Sequence, residues 1–307
     1  KKKIQKSIRN MKQATLLNFV EKELAFKYTA ETVISYMYTI RRFLSQFPKA
    51  ERLKLTDIEG YFADLKIQGK SSEYRKAILA GIKAFYDCYL ELGMVKEHPC
   101  RTYRISEKKP KGKDFSAFLN LEEMETLFNL KEERYRYVGN RNKAMIGLLI
   151  YQGMTSKELI NLSVNNIDLD AGIVNIKGQG KNTDRTLELK PSQITVLMRY
   201  IEDDRKHLLK NSTTNKLFLG MRGTPMTVNA LHEFISRLGG TFGNKEVSPK
   251  NIRRSVISNW LNVRNISLEH VQIMAGHRYP STTEQYINPN TQEQREAVSK
   301  LHKSIFG

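Results

Sequence analysis

Apolar residues recur at helical spacing through 15–92 of this 307-residue chain, and nothing in that stretch alternates as a strand would. The run 15–26 carries Leu16, Leu17, Phe19, Val20 and Leu24. Thr29 can cap the next run, in which Val33, Ile34, Tyr36, Met37, Ile40 and Phe43 make one face. Thr56 and Asp57 precede a third run over 58–65. Ser71 or Ser72 opens a long fourth that reaches about position 92 and is closed by Gly93. Helices with stripes of this width and no strands among them must bury the stripes against one another. The spacing therefore predicts a small all-α domain over 13–105, with Tyr36 and Tyr38 expected in its core rather than facing a ligand.

The periodicity changes after it. Segments 172–176 and 185–189 alternate like paired strands around a glycine- and lysine-rich tip at 177–184. Helical runs surround them at 121–128, 141–152, 191–205, 227–238, 255–262 and 267–274. Trp260 is expected in the core. The run 293–305, with Ala297, Val298, Leu301 and Ile305, is amphipathic but has too little chain after it to form a core. It must pack on its own domain or on a neighbouring copy. Residues 101–113 hold six basic side chains to one acidic, with Pro110 and Gly112 discouraging helix, so 106–115 is read as a linker. The fold class is α+β, mostly α: a helical domain, then a domain over 116–307 with a small antiparallel sheet.

Charge narrows the class of partner. Fifty-one Lys and Arg against 32 Asp and Glu leave the chain at +19, more than solubility requires and suited to a polyanion. Residues 1–12 alone carry six basic side chains and no acidic one, as a flexible tail gripping phosphates would. Cys88 and Cys100, the two cysteines, make neither a disulfide framework nor a zinc cluster. With no apolar run of membrane length, a soluble cytoplasmic protein is expected, without membrane, metal or cofactor.

The chemistry concentrates in 248–286. Lys250 and Arg253 stand three apart at the start of a helical run. A second run stops at Gly276, His277 follows at once, and Tyr286 comes nine residues later, after the turn-rich Pro280-Ser281-Thr282-Thr283. A phenol is a nucleophile once its target is polarised. Two cations and an imidazole can neutralise charge building on the non-bridging oxygens of a phosphodiester.

Lys250-x-x-Arg253, Ala275-Gly276-His277 and Thr282-Thr283-x-x-Tyr286, in that order and spacing, resemble the C-terminal signature of the tyrosine recombinases, the phage integrase family. That family has His-x-x-Arg, with Lys an accepted first residue, then Leu-Gly-His, then the tyrosine. The resemblance extends forward. Thr29-Ala30-Glu31-Thr32-Val33-x-x-Tyr36 looks like the opening of the family's helical core-binding (SAM-like) domain, and His98-Pro99-Cys100-Arg101 like the step that closes it. Gly153-Met154-Thr155-Ser156-Lys157-Glu158-Leu159 matches the family's Gly-Leu-Arg-x-x-Glu-Leu, except that Thr155 stands where the first catalytic arginine belongs. Lys216-Leu217-Phe218-Leu219 looks like the short Leu-Phe strand that precedes the family's last helices, and the hairpin 177–184 resembles the one that carries a general-acid lysine. Gln179 occupies the direct overlay of that lysine, so Lys181 is the candidate, with Lys177 as the alternative.

The resemblance implies a site-specific recombinase or integrase of a mobile genetic element. Tyr286 would attack to give a 3′-phosphotyrosyl link and a free 5′-hydroxyl. Arg253, Lys250 and His277 would stabilise the transition state, and Lys181 would protonate the leaving oxygen. It also implies a prokaryotic, nucleoid-associated protein acting on double-stranded DNA as a homo-oligomer, a tetramer whose C-terminal helix can be exchanged between protomers. Bond energy is conserved in the covalent link, so neither ATP nor metal is needed. Arg141, Arg185 and Arg254 are the arginines near the matched motifs that could replace the one lost at Thr155, although Arg254, next to Arg253 on a helix, is expected to face elsewhere. Two rivals stand beside this reading: an accessory DNA-binding relative that no longer cleaves, and a type IB topoisomerase-like enzyme.

Overall fold

The computed structural model describes residues 13–107, 115–129, 133–210, 212–239, 242–243 and 245–288. The expected basic tail 1–12, most of the linker 106–115 and the run 293–305 lie outside these residues. The chain divides into two units, Lys1–Pro110 and Lys111–Gly307, each with its own core.

In the first unit the four predicted runs are helices: α1 Gln13–Lys27, α2 Ala30–Gln46, α3 Leu55–Ile67 and α4 Ser72–Glu91. Thr29 sits at the N-cap of α2 but its hydroxyl pairs with Thr32 Oγ1 at 3.0 Å rather than with a backbone N–H. Helix α3 starts earlier than the apolar run suggests. Asp57 accepts the Lys54 N–H at 2.7 Å, which closes the first turn ahead of Ile58. Ser71 caps α4 by accepting the Tyr74 N–H. Phe43, Tyr61, Phe85 and Tyr86 meet edge to face in the core, the arrangement that aligns ring edges with ring faces. The buried Tyr86 hydroxyl donates to the Ala50 carbonyl at 3.0 Å. Tyr36 is half-buried against this core, whereas Tyr38 is exposed, against expectation. It follows Met37 on a helix whose buried stripe runs Val33, Met37, Ile40, Phe43 and Leu44, and so lies off that stripe. Cys88 and Cys100 are free, and burial pushes both thiols up to about 11, so they pack as small apolar groups.

The second unit begins with α5 Leu121–Phe128, α6 Arg136–Gln152 and α7 Ser156–Asn161. Strands β1 Ile167–Asp168, β2 Ile173–Ile176 and β3 Arg185–Glu188 form one antiparallel sheet in the order β1-β2-β3, with Val174 opposite Leu187. The alternation is the one the sequence predicts: Val174 and Ile176 are buried and Asn175 is exposed. The helix expected over 191–205 is three pieces: α8 Pro191–Arg199, a π-helical turn Tyr200–Asp204, and α9 Arg205–Leu209. Tyr200 and Asp204 are both buried there, bonded to the Leu217 carbonyl and the Asn140 amide. Segment 216–219 makes only single bridges, Ser163 to Lys216 and Leu219 to Pro225, in place of a strand. Leu217, Phe218 and Leu219 are all buried, which period-two alternation does not allow.

The chain continues through α10 Val228–Arg237, α11 Pro249–Asn262, α12 Leu268–Ala275 and α13 Pro280–Glu284. The last of these corrects the sequence reading of 280–283 as turn. Pro280 opens a short helix because its fixed φ suits the first helical position and the N–H it lacks would be unpaired there anyway. Trp260 lies in the core. Among the described residues no helix is long and apolar enough to cross a membrane, and no cluster of three His, Cys, Asp or Glu could hold a metal ion.

Candidate active site

Helix α11 supplies three cations. Ser248 caps it by accepting the Asn251 N–H, and Pro249 takes the first helical position. Lys250, Arg253 and Arg254 then stand at i, i+3 and i+4, which puts all three on one face. Helix α12 ends at Gly276, whose φ of +68° reverses the chain so that His277 follows immediately. His277 Nδ1 is 2.9 Å from Thr283 Oγ1, and the His277 and Tyr286 rings lie nearly parallel, 6.4 Å between centroids and 15° apart. Asn262, at the end of α11, donates to the Tyr286 carbonyl and accepts the Asn288 N–H, both at 2.8 Å. The segment that carries the phenol is thus strapped to the helix that carries the cations.

Arg253 is buried, and its guanidinium donates to the Gly153 carbonyl and, at 2.6 Å, to the Ala275 carbonyl. Burial pushes it down to about 10, while Glu158, 3.9 Å away, favours its charged form. It remains a cation at neutral pH.

Thr155 carries no charge and is occupied locally. Its hydroxyl accepts the Glu158 N–H at 3.2 Å while Glu158 Oε2 accepts the Thr155 N–H at 2.8 Å, a capping box that starts α7. The Glu158 carboxylate also accepts from Asn182 Nδ2 at 2.9 Å and from two nitrogens of Arg185. Burial alone would raise its pKa, but the Arg185 bonds and charge, aided by the Thr155 N–H, hold it at about 2. The hairpin between β2 and β3 is held from the other side as well. Thr183 N–H donates to the Gly276 carbonyl at 2.9 Å, and Asn182 bridges to His277.

These elements enclose a cleft of about 530 Å³ whose wall includes Thr155, Gln179, Lys250, Arg253, Arg254 and Tyr286. Lys157 adds a fourth cation, and no carboxylate is among the described residues that line it. Of the residues singled out in the sequence, Tyr286, Arg253, Lys250 and Thr155 therefore meet in one place, and His277 lies against the tyrosine ring. The two hairpin lysines are not on this wall, where Gln179 is found instead. Lys177 pairs with Asp184 at 2.6 Å, and Lys181 is exposed, with no ion pair or hydrogen bond among the described residues. Arg254 does not face elsewhere: its four-residue spacing from Lys250 turns it to the same cleft, a signal that was present in the sequence. Asn182 and Asn262 were missed, and neither has a sequence pattern that would single it out.

A cleft lined by cations and a phenol can receive a phosphodiester and attack it. The comparisons with known proteins agree with that chemistry. A profile described as the phage integrase family matches residues 117–293, more than half of the chain. The tyrosine recombinase XerD of Staphylococcus aureus is 27% identical over 267 residues, covering 86% of this chain and 87% of that protein. XerD of Staphylococcus saprophyticus is 26% identical over 298 residues, covering 93% and 96%. Among solved structures, the XerH site-specific recombinase bound to its difH substrate aligns with a TM-score of 0.71 at 19% identity, covering 95% of this chain and 85% of that one. The Tn1549 transposon integrase in complex with transposon right-end DNA aligns with a TM-score of 0.67 at 17% identity, covering 93% and 98%. At these identities the structures establish a shared fold.

Proposed function

The chain belongs to the phage integrase family, and on that premise we propose that it is a site-specific tyrosine recombinase of a mobile element, cutting and rejoining double-stranded DNA. The observation that carries this reading is the meeting of Tyr286 with Lys250, Arg253 and Arg254 in one cleft. In the first step the Tyr286 Oη–P bond forms and the P–O5′ bond breaks. The phenolic proton leaves to solvent, and the 5′-oxygen departs with a proton supplied by a general acid. In the second step the 5′-hydroxyl of another strand attacks the 3′-phosphotyrosyl link and frees Tyr286. One phosphoester bond is exchanged for another each time, so no energy input is needed.

Arg253, Lys250 and His277 stabilise the charge that develops on the phosphate. Arg253 is oriented by two carbonyls and His277 by Thr283, so neither has to reorganise as that charge appears. Lys181 is the general acid in this reading. Lys177, the alternative, would first have to leave Asp184. The working assembly is a homo-oligomer on duplex DNA, a tetramer when two sites recombine, with 293–305 exchanged between protomers. Chains ending at 292 that still cleave but no longer recombine would support that exchange.

A second reading is favoured by Thr155, whose position brings no cation to the cleft: a DNA-binding relative that has lost strand cleavage. One experiment separates the two. Duplexes that bind the purified full chain are selected from a randomised pool, nicked at successive positions, and incubated with wild type and Tyr286→Phe. A denaturation-resistant protein–DNA adduct formed by wild type alone supports the recombinase. Binding without adduct overturns it and leaves the accessory protein, and failure to bind any duplex overturns both.

A further inference from the structure

We infer that Arg254 supplies the second guanidinium to the scissile phosphate, in the place Thr155 leaves without a charge. This rests on the recombinase reading above and deepens it.

The transition state of phosphoryl transfer spreads negative charge over the non-bridging oxygens, and guanidinium groups match those oxygens in pairs. Arg253 has only part of its donor set left for them, because two of its five N–H groups are already given to the Gly153 and Ala275 carbonyls. Thr155 adds no charge: its hydroxyl oxygen accepts the Glu158 N–H, which leaves it one neutral O–H to offer. More donors are needed from some other side chain.

Three arginines lie near enough in sequence to the matched motifs to supply them, and their surroundings decide between them. Arg141 is buried away from the cleft, bonded to the Leu219 carbonyl and to Asn142 Oδ1. Arg185 is locked along the Glu158 carboxylate. Arg254 alone of the three lines the cleft. It is half-buried, and no hydrogen bond or ion pair to any described residue holds it. Its five donors are unspent, and its head shares a helix face with Lys250 and Arg253. Like charges at this spacing repel, near a helix N-terminus whose dipole already disfavours cations. Glu158 reaches Arg253 from behind, at 3.9 Å, but no carboxylate among the described residues on the cleft wall offsets Lys250 and Arg254, as it would if these were ordinary surface charges. An anion between them removes the penalty. Lys157 also lines the cleft, but it is exposed and offers one point charge on a flexible stem rather than a fork.

The test uses the purified full chain and the selected nicked duplexes, with the scissile phosphate either natural or replaced by a methylphosphonate, in which a methyl group removes one oxygen and the charge. Arg254→Gln is expected to slow adduct formation at saturating DNA roughly 10²–10³-fold on the natural phosphate, with far-UV circular dichroism retained and DNA binding weakened only as far as the loss of one phosphate contact requires. On one methylphosphonate diastereomer the same variant should approach wild type, because the charge it fails to neutralise is gone. Arg254→Lys should recover part of the loss, and adding Thr155→Arg to Arg254→Gln should recover more. A merely structural role would give equal losses on both substrates and no rescue by Thr155→Arg, which would overturn the inference. So would an unimpaired Arg254→Gln, or a charge-dependent loss that appears in Lys157→Ala instead. These failures leave the recombinase reading standing. Absence of adduct with the wild-type chain sinks both together.

Discussion

Arg185 lays its guanidinium edge along the carboxylate of Glu158, Nη1 to Oε1 at 2.8 Å and Nη2 to Oε2 at 3.1 Å, with side chains 1% and 0% exposed. The pair joins β3 to α7 and therefore ties the hairpin to the helix that Thr155 caps. Asn182 and the Thr155 N–H fill out the carboxylate's shell. Among the described residues the one buried side-chain nitrogen or oxygen without a hydrogen bond is Arg185 Nε. Such a pair adds little over an apolar replacement, but removing one partner strands the other charge in the interior. Its service is to fix where the hairpin sits.

Glu158→Gln should therefore cost about 3–5 kcal/mol of stability, the usual penalty for breaking a buried pair from one side. Urea unfolding at neutral pH measures it. The wild-type pair should also show in the pH dependence. Glu158 is held at about 2, below its ordinary 4.5, so the unfolded chain binds its proton first. The stabilisation is complete above about 4.5 and is lost as pH falls toward 2. The variant should lack this acid-side contribution. An unchanged acid limb in Glu158→Gln would show that the pair is not what holds the carboxylate down.

Two glycines with the same backbone angle should respond differently to alanine. Gly276 and Gly180 both have φ of +68°, where a side chain is strained by about 1–2 kcal/mol. A Cβ on Gly180 meets nothing within 4 Å, so Gly180→Ala should cost no more than that. A Cβ on Gly276 would stand 2.8 Å from Arg185 Nη1 and 3.0 Å from the Thr183 carbonyl oxygen. Gly276→Ala should be the more damaging in urea unfolding, and should also lower adduct formation by displacing His277. Equal effects at the two sites would mean the Arg185 contact yields without cost.

What the sequence disclosed and what it hid follow a physical division. The first-unit helices and the β2–β3 hairpin were legible because their apolar stripes repeat at 3.6 or 2 residues, and Val174 and Ile176 fall where that period puts them. Residues 216–219 misled because a continuously buried triplet looks like a strand whether or not a partner strand is present. The interruption at Tyr200–Asp204 has no local signal, since its partners Leu217 and Asn140 are distant in sequence. At the site, the order of Lys250, Arg253, His277 and Tyr286 was readable because those side chains sit on consecutive elements. The Glu158–Arg185–Asn182 cluster was not, because it depends on how the hairpin folds over α7. Arg254 reaches the cleft because its position on the helix face follows its four-residue spacing from Lys250, which adjacency to Arg253 alone does not reveal.

Phosphate contacts in the cleft should be visible in the salt dependence of DNA binding. Each phosphate neutralised contributes about 0.9 to the slope of log K against log salt on duplex DNA. Lys250→Ala removes one cation from the cleft wall and should lower that slope by about this amount, with weakening that is uniform across duplex sequences. Fluorescence anisotropy over a series of salt concentrations reads the slope directly. An unchanged slope with weakened binding would mean that Lys250 acts on the shape of the cleft and not on a phosphate.

Trp260, the chain's one tryptophan, is 4% exposed in the core of the second unit. The first unit has a separate core, running from Leu16 to Cys100, with no tryptophan in it. Tryptophan emission therefore follows one core, while far-UV circular dichroism follows the helices of both. With two cores, urea unfolding is expected to depart from a single two-state transition. The circular dichroism curve should contain a phase that fluorescence lacks. Glu158→Gln should then move the fluorescence midpoint and leave the extra phase where it is, because Glu158 belongs to the second unit. Superimposable curves, shifted together by that substitution, would show instead that the two cores unfold as one.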